Sequence, residues 1–228
     1  MNGAYGSDVE ERPVRVSAGT VMLEGNLAVP DSARGVVLFA HGSGSGRHSP
    51  RNRYVARVLR EAGLATLLID LLTAEEEEVD LRTRHLRFDI GLLAERLGGA
   101  TEWLARNSAT RNLWVSYFGA STGAGAALVA AAEHPESISA IVSRGGRPDL
   151  AGPALSRVAA PTLLIVGGND FPVIDMNREA LEQMRTEKRL EIVPGATHLF
   201  EEPGALEQVA RLATDWFVRH LDPDVETG

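Results

Sequence analysis

YFGASTGAGAAL, residues 117–128, lies between an apolar run (Leu113-Trp114-Val115) and an alanine-rich stretch. Two motifs overlap in it. Gly119-Ala120-Ser121-Thr122-Gly123 spells G-x-S-x-G, a sharp turn that lifts a nucleophilic serine above a sheet. Gly119, Gly123 and Gly125 spell G-x-x-x-G-x-G, a turn that can cradle a dinucleotide phosphate. Both motifs want a strand before them and a helix after them. Deciding between them fixes the fold and the chemistry together.

The surrounding chain supplies that setting many times over. Arg12 to Val29 alternates around an Ala-Gly turn and reads as a β-hairpin. Short apolar runs mark buried strands at Gly35–Ala40 (GVVLFA), Ala65–Asp70 (ATLLID), Leu113–Phe118, Ile138–Ser143, Pro161–Val166 (PTLLIV) and Arg189–Val193. Helical spacing fills Pro50–Ala62, with Gly63 as a stop, and His85–Arg106, with Gly98-Gly99 as a weak spot. It returns at Ser121–His134, ended by Pro135, and at Asp175–Met184 and Leu206–Leu221. The acidic run Glu75–Asp80 (EEEEVD) reads as a solvated loop or helix start. Strands alternating with helices predict an α/β domain, a mostly parallel sheet with helices on both faces. No repeat, linker or composition break divides the chain. Residues 1–228 are therefore expected to be one domain, with tails at 1–11 and 222–228.

Composition narrows the function. The 228 residues are 44% hydrophobic and 24% charged, ordinary for a globular protein with a sizeable core. A net charge of −8 argues against nucleic acid as a partner, which calls for a basic surface. With no cysteine, disulfides, thiolate metal sites and a cysteine nucleophile are excluded. Lys188 is the single lysine, in a charged stretch that reads as solvated surface. The N-terminus has neither the basic start nor the apolar run of a signal peptide. No stretch has the roughly 18 to 20 apolar residues that span a bilayer. The expectation is a cytoplasmic protein with no membrane partner.

The cofactor reading of residues 117–128 meets three objections. A dinucleotide turn belongs at the first strand–helix junction, and this one comes after several elements. The tyrosine-x-x-x-lysine pair of short-chain dehydrogenases is absent, because Met184 stands four residues before Lys188. An acidic ribose ligand about 20 residues on would fall near Ser139 to Ile141, where there is none. The other glycine loop, Gly42-Ser43-Gly44-Ser45-Gly46, follows a strand but has neither the G-x-G-x-x-G spacing nor a Walker lysine.

The nucleophile reading finds its partners. A serine hydroxyl needs a histidine to take its proton and a carboxylate to orient that histidine. On this kind of sheet they follow in the order Ser, acid, His. Asp170 stands just beyond the apolar strand in PTLLIVGGND. His198 stands in the loop after the last strand, in RLEIVPGATHLF. Chain ends of parallel strands are where an open α/β sheet places its site. Asp175, better read as a helix cap, and Asp149 are weaker candidates for the acid. Of the other histidines, His134 and His220 lie at helix ends, where the dipole favours them. His85 begins a helix, His48 sits in a polar loop, and His41 shapes the glycine loop. The developing oxyanion needs hydrogen-bond donors. The backbone N–H of Thr122, next after the serine, supplies one, and that of Ser43 in the glycine loop supplies the other.

HGSGSG, GASTG, GGND and GATH, in this order from about Val14 to Leu221, resemble the α/β-hydrolase fold, and most closely its compact dienelactone-hydrolase-like branch. The resemblance implies a mixed, mostly parallel sheet of about eight strands and chemistry with no metal or organic cofactor. Carried over by motif, Ser121 is the nucleophile, His198 the base, Asp170 the orienting acid, and Ser43 and Thr122 the oxyanion hole. One departure stands out: dienelactone hydrolases proper carry cysteine at the elbow. Dienelactone itself is thereby a doubtful substrate, and the resemblance implies carboxylic-ester chemistry without naming the ester.

The expected function is a serine hydrolase acting on esters of small acyl groups. A thioesterase or an amide or peptide hydrolase would use the same triad, and a non-catalytic binding protein could keep the fold. The short connections predict an open site, not closed by residues 71–90. Two arginine-bearing loops follow strands near the site, Arg47, Arg51 and Arg53 in one and Arg144 and Arg147 in the other. Arg144 is the best candidate to hold a substrate carboxylate; internal salt bridges are the competing reading. A homodimer is compatible with the sequence but not required by it.

Overall fold

The fold is given by a computed structural model that describes residues 9–221. Eight strands form one sheet: β1 (Arg12–Ala18), β2 (Val21–Ala28), β3 (Gly35–Ala40), β4 (Ala65–Ile69), β5 (Trp114–Ala120), β6 (Ile141–Arg144), β7 (Thr162–Gly167) and β8 (Lys188–Val193). Their order is β1-β2-β4-β3-β5-β6-β7-β8. The hairpin β1–β2 joins β4 antiparallel, and every other pairing is parallel. The parallel strands β3, β4, β6 and β7 are buried along their whole length. Covering both faces of a parallel sheet requires such unbroken apolar runs.

Six α-helices occur among the described residues: α1 (Pro50–Glu61), α2 (Ala74–Thr83), α3 (Ile90–Arg106), α4 (Thr122–Glu133), α5 (Phe171–Gln183) and α6 (Ala205–His220). Helices α1 and α6 pack on one face around Phe39, Phe118, Leu59 and Phe217. Helices α3 and α4 pack on the other, around Leu38, Leu67, Leu97 and Leu128. Gly99, the expected weak spot, does not break α3. An added Cβ there would come within 2.6 Å of the Ala18 Cα, so the glycine allows the helix to lie close against β1.

Of the two readings of the acidic run, the solvated helix start holds: it lies in α2, because Thr73 and Glu76 close a reciprocal capping box and the glutamates of its first turn favour the positive end of the helix dipole. Three other segments differ from the sequence reading. The pattern at His85–Arg106 is interrupted: Arg84 takes a left-handed conformation, a 3₁₀ turn follows at Leu86–Phe88, and Asp89 caps α3 anew. Helix α5 begins at Phe171, four residues early, with Pro172 in its first turn, where a missing N–H costs nothing. A 3₁₀ segment at Pro148–Arg157 had no sequence signal. Of the expected tails, residues 1–8 and 222–228 lie outside the described residues. Glu11, counted in the first tail, is instead docked, with its carboxylate 3.0 Å from Arg60.

The sheet order reverses between β3 and β5. From β3 the chain runs outward to β4, then returns across to β5 and continues the other way. The loops after β3 and β5 therefore part above the sheet and leave a crevice at the carboxyl ends of the strands.

Candidate active site

Ser121 occupies that crevice on a strained elbow. Its backbone has φ 50° and ψ −123°, a region that non-glycine residues avoid. The surroundings hold it there. Its N–H donates to the Arg144 carbonyl at 3.3 Å, and its own carbonyl accepts from Ala124 N at 3.1 Å and Arg147 N at 3.0 Å. The flanking glycines allow this packing. A side chain at Gly119 would strike the Ala124 backbone, and one at Gly123 would strike the carbonyls of Ala40 and His41.

Asp170 follows β7 and His198 lies in the loop after β8. His198 Nδ1 is 2.7 Å from Asp170 Oδ2. The carboxylate is largely enclosed and the imidazole open, with side-chain exposures of 14% and 39%. With Nδ1 facing the carboxylate, Nε2 is left for other work. The ring lies over Gly145, where an added Cβ would be 3.5 Å from Nδ1. Gly145 adjoins Arg144, whose carbonyl holds the Ser121 N–H, so imidazole and elbow share one corner of the sheet. A hydrogen bond between Ser121 Oγ and His198 is not among those of the described residues; in unliganded enzymes such bonds are often long and tighten with substrate. The weaker acid candidates lie elsewhere. Asp175 is exposed on α5 beside Arg178 at 3.5 Å, and Asp149 pairs with Arg147 at 2.7 Å.

The glycine loop after β3 is pinned from both sides. Ser43 N–H donates to Thr122 Oγ1 at 3.0 Å. His41 bridges the loop to the one after β4: its Nε2 is 3.0 Å from Leu71 N, and its Nδ1 is 2.9 Å from the Gly42 carbonyl. Leu71 can only donate, so Nε2 accepts and the proton sits on Nδ1. The imidazole is thus held neutral in one tautomer. Burial lowers its pKa from 6.5, against the opposing pull of the Gly42 carbonyl and of Asp70 and Glu77.

The expectation of an open site fails on one side. Helix α2 and the 3₁₀ turn after it wall a partly open cavity bordered by Ser43, Thr122, Leu72, Glu77 and Arg87. Helix α2 is anchored by polar contacts. Asp80, 2% exposed, accepts from Arg87 Nε at 2.5 Å and Arg87 N at 3.1 Å. Burial alone would raise the Asp80 pKa, but these bonds and the Arg87 charge bring it below the usual carboxylate value. Glu76 meets Arg96 at 2.7 Å. Sequence reasoning passed over Asp80, Arg87 and Arg96; the Thr73-x-x-Glu76 capping pattern before the acidic run was the available signal.

The arginine loops separate clearly. Arg47 pairs with Asp70, Arg51 with Glu201 at 3.1 Å, Arg53 with Glu11 at 3.7 Å and Arg147 with Asp149. Arg144 differs. It is 6% exposed, bonds Asn52 Oδ1 at 3.3 Å and lies over the Phe200 ring at 5.9 Å. Among the described residues no carboxylate pairs with it, and its buried Nε has no acceptor. Burial, with the nearby charge of Arg51, lowers its pKa to about 10.

Comparison with known proteins agrees with this architecture. The model of the dienelactone hydrolase family matches residues 23–221. The crystal structure of a dienelactone hydrolase from Anabaena variabilis is 69% identical and superposes with a TM-score of 0.92, covering 94% of this chain and 99% of that one. Est1E from Butyrivibrio proteoclasticus shares the fold at 14% identity, with a TM-score of 0.76 over 92% of this chain and 98% of its own. A Mycobacterium tuberculosis (strain H37Rv) protein named "Putative phosphoribosyl transferase" is 58% identical over 221 residues, 97% of this chain and 49% of the relative. The chain spans about half the length of the curated relatives it matches. Among the described residues no helix is long and apolar enough to cross a membrane.

Proposed function

We propose that this chain, which belongs to the dienelactone hydrolase family, is a hydrolase that cleaves carboxylic esters of small acyl groups through an acyl-enzyme on Ser121. The observation that carries this reading is the 2.7 Å bond between His198 and Asp170 beside the strained serine elbow. In the proposed reaction His198 Nε2 takes the Ser121 proton as Oγ attacks the ester carbonyl. The charge passes to the carbonyl oxygen, which the Thr122 N–H receives beside the glycine loop. Collapse expels the alcohol, protonated by His198. Water then enters, gives a proton to His198 and releases the acid, and the proton returns to Ser121. Asp170 keeps the Nδ1 proton in place and stabilises the imidazolium. Nothing beyond the chain's own residues and water is called on.

The cavity beside Thr122 is the proposed acyl pocket, and its wall of α2 and the 3₁₀ turn favours small groups. Arg144 is the proposed contact for a substrate carboxylate, supported by its lack of an acidic partner. The transferase name is not carried over, because it belongs to proteins of which this chain matches only half. The test is labelling by a fluorophosphonate probe, comparing the intact protein with Ser121→Ala. Labelling confined to the intact protein supports the reading. Absence of labelling in folded protein rejects it in favour of a binding role.

A further inference from the structure

The bond from Ser43 N–H to Thr122 Oγ1 presents a difficulty for a two-amide oxyanion hole. One of the two donors is already engaged, at 3.0 Å, by a side chain that is 3% exposed. A threonine hydroxyl has one proton and two lone pairs. With a lone pair turned to Ser43, the proton must point elsewhere. Three other buried threonines give theirs to a carbonyl, Thr101 to Leu97 at 2.9 Å, Thr110 to Leu104 at 2.7 Å and Thr162 to Ala160 at 2.9 Å, while buried Thr66 accepts from Arg60 at 3.3 Å but borders no such cavity. Thr122 has no such outlet. It is the first residue of α4, and the elbow before it provides no helical carbonyl one turn back. Among the described residues its hydroxyl makes the Ser43 bond and no other. Thr122 and Ser43 both border the cavity beside the elbow.

We infer that the Thr122 hydroxyl is itself a catalytic donor: Ser43 N–H bonds Thr122 Oγ1, and Thr122 Oγ1–H bonds the substrate oxyanion. This rests on the serine-hydrolase reading. As Ser121 Oγ adds to the carbonyl carbon, the C=O π pair moves onto oxygen. That oxygen receives the Thr122 N–H and the Thr122 O–H. No proton leaves threonine. The Ser43 amide polarises the hydroxyl, and chained hydrogen bonds of this kind strengthen one another in a low dielectric. Ser43 thereby positions the donor, while Thr122 touches the reacting atom twice.

The experiment compares the intact protein with Thr122→Val, which keeps the shape and removes the hydroxyl, and Thr122→Ser, which restores it. Ser121→Ala is the blank. The readouts are kcat and KM for a short-chain p-nitrophenyl ester and inhibition by an alkyl boronic acid, whose tetrahedral serine adduct places an oxygen in the hole. Loss of one oxyanion donor costs about 10²- to 10³-fold in kcat. Thr122→Val is expected to lose that much with KM within about threefold, to weaken boronate inhibition in parallel, and Thr122→Ser to recover most of both. Thr122→Val as fast as or faster than the intact protein overturns the inference; the hydroxyl would then only mask a Ser43 amide that donates directly. Should Thr122→Val fail to fold, Thr122→Ala carries the same comparison. Turnover by the intact protein no greater than by Ser121→Ala would instead reject the serine-hydrolase reading, and this inference with it.

Discussion

His198 Nδ1 and Asp170 Oδ2, 28 residues apart in sequence, meet at 2.7 Å across the loops that follow β8 and β7. The pairing is set by the fold. Strands β7 and β8 run parallel in register from Thr162↔Lys188 to Gly167↔Val193, so their following loops emerge side by side. The Gly168 and Asn169 amides then tie to Val193 and Ala196 carbonyls at 2.8 and 2.9 Å. Replacing the carboxylate by an amide keeps the shape but lets the ring settle in the wrong tautomer. Asp170→Asn is expected to lower kcat about 10³- to 10⁴-fold with little change in melting temperature. Steady-state kinetics beside a thermal melt checks this.

The elbow stores strain that glycine would release. Ser121 at φ 50°, ψ −123° is held by three backbone hydrogen bonds rather than by its own preference. Such conformations cost of order 1–3 kcal/mol in a residue with a Cβ, partly offset by the extra unfolded-state freedom of glycine. Ser121→Gly is therefore expected to be about 1 kcal/mol more stable than Ser121→Ala, a rise of about 2–4 °C in melting temperature, while neither turns over ester. Paired calorimetry settles it; equal melting points would mean the elbow is not strained.

The sheet and the proposed triad residues were legible because both leave strong local marks. Parallel strands buried on both faces read as apolar runs, and Ser121, Asp170 and His198 each follow such a run in the required order. What escaped was held by polar contacts between segments far apart in sequence. The acidic run was legible as a solvated helix start, but the anchors of α2, Asp80 with Arg87 and Glu76 with Arg96, involve side chains whose burial no sequence pattern announces. The bond between Ser43 and Thr122 spans 79 positions and leaves no mark in the composition of either loop.

His41 makes stability depend on pH. Its folded-state pKa lies below the ordinary histidine value of 6.5, chiefly because burial disfavours the charged ring. The neutral form is thus the one the fold accepts. This contribution is fully present above about pH 6.5 and is lost as the pH falls from there through the lowered folded pKa. In His41→Gln that contribution is gone. The melting temperature of the intact protein should fall more steeply below pH 6.5 than that of the variant. Parallel slopes would mean the ring accepts a proton in place.

Arg144 separates a substrate role from a structural one. A charge-assisted bond to a substrate carboxylate is worth roughly 1.5–3 kcal/mol. If Arg144 supplies it, Arg144→Met should lower the ratio of acidic-ester to neutral-ester hydrolysis by about 10- to 100-fold. Both esters slowing equally would assign the guanidinium to holding Phe200, two residues beyond His198, and with it the histidine loop.

Asp80 ties the two parts of the cavity wall, α2 and the 3₁₀ turn after it, to each other, and its removal should change selectivity before it changes chemistry. Helix α2 has little apolar footing, with Val79 and Leu81 exposed at 43% and 67%. Glu76 holds it to Arg96 of α3, and the Asp80 carboxylate, which takes the Arg87 backbone N–H and guanidinium at once, braces it against the 3₁₀ turn. Asp80→Asn keeps one acceptor and loses the charge, so the segment from Thr73 to Asp89 should open more often. None of the proposed triad lies on that segment. Limited proteolysis is therefore expected to cut within residues 73–89 faster in the variant, with fluorophosphonate labelling of Ser121 intact. Preference among p-nitrophenyl esters should shift toward longer acyl chains as the cavity loses its wall. A variant that is cut no faster and keeps the chain-length preference of the intact protein would show that Glu76 and Arg96 alone suffice to hold the wall.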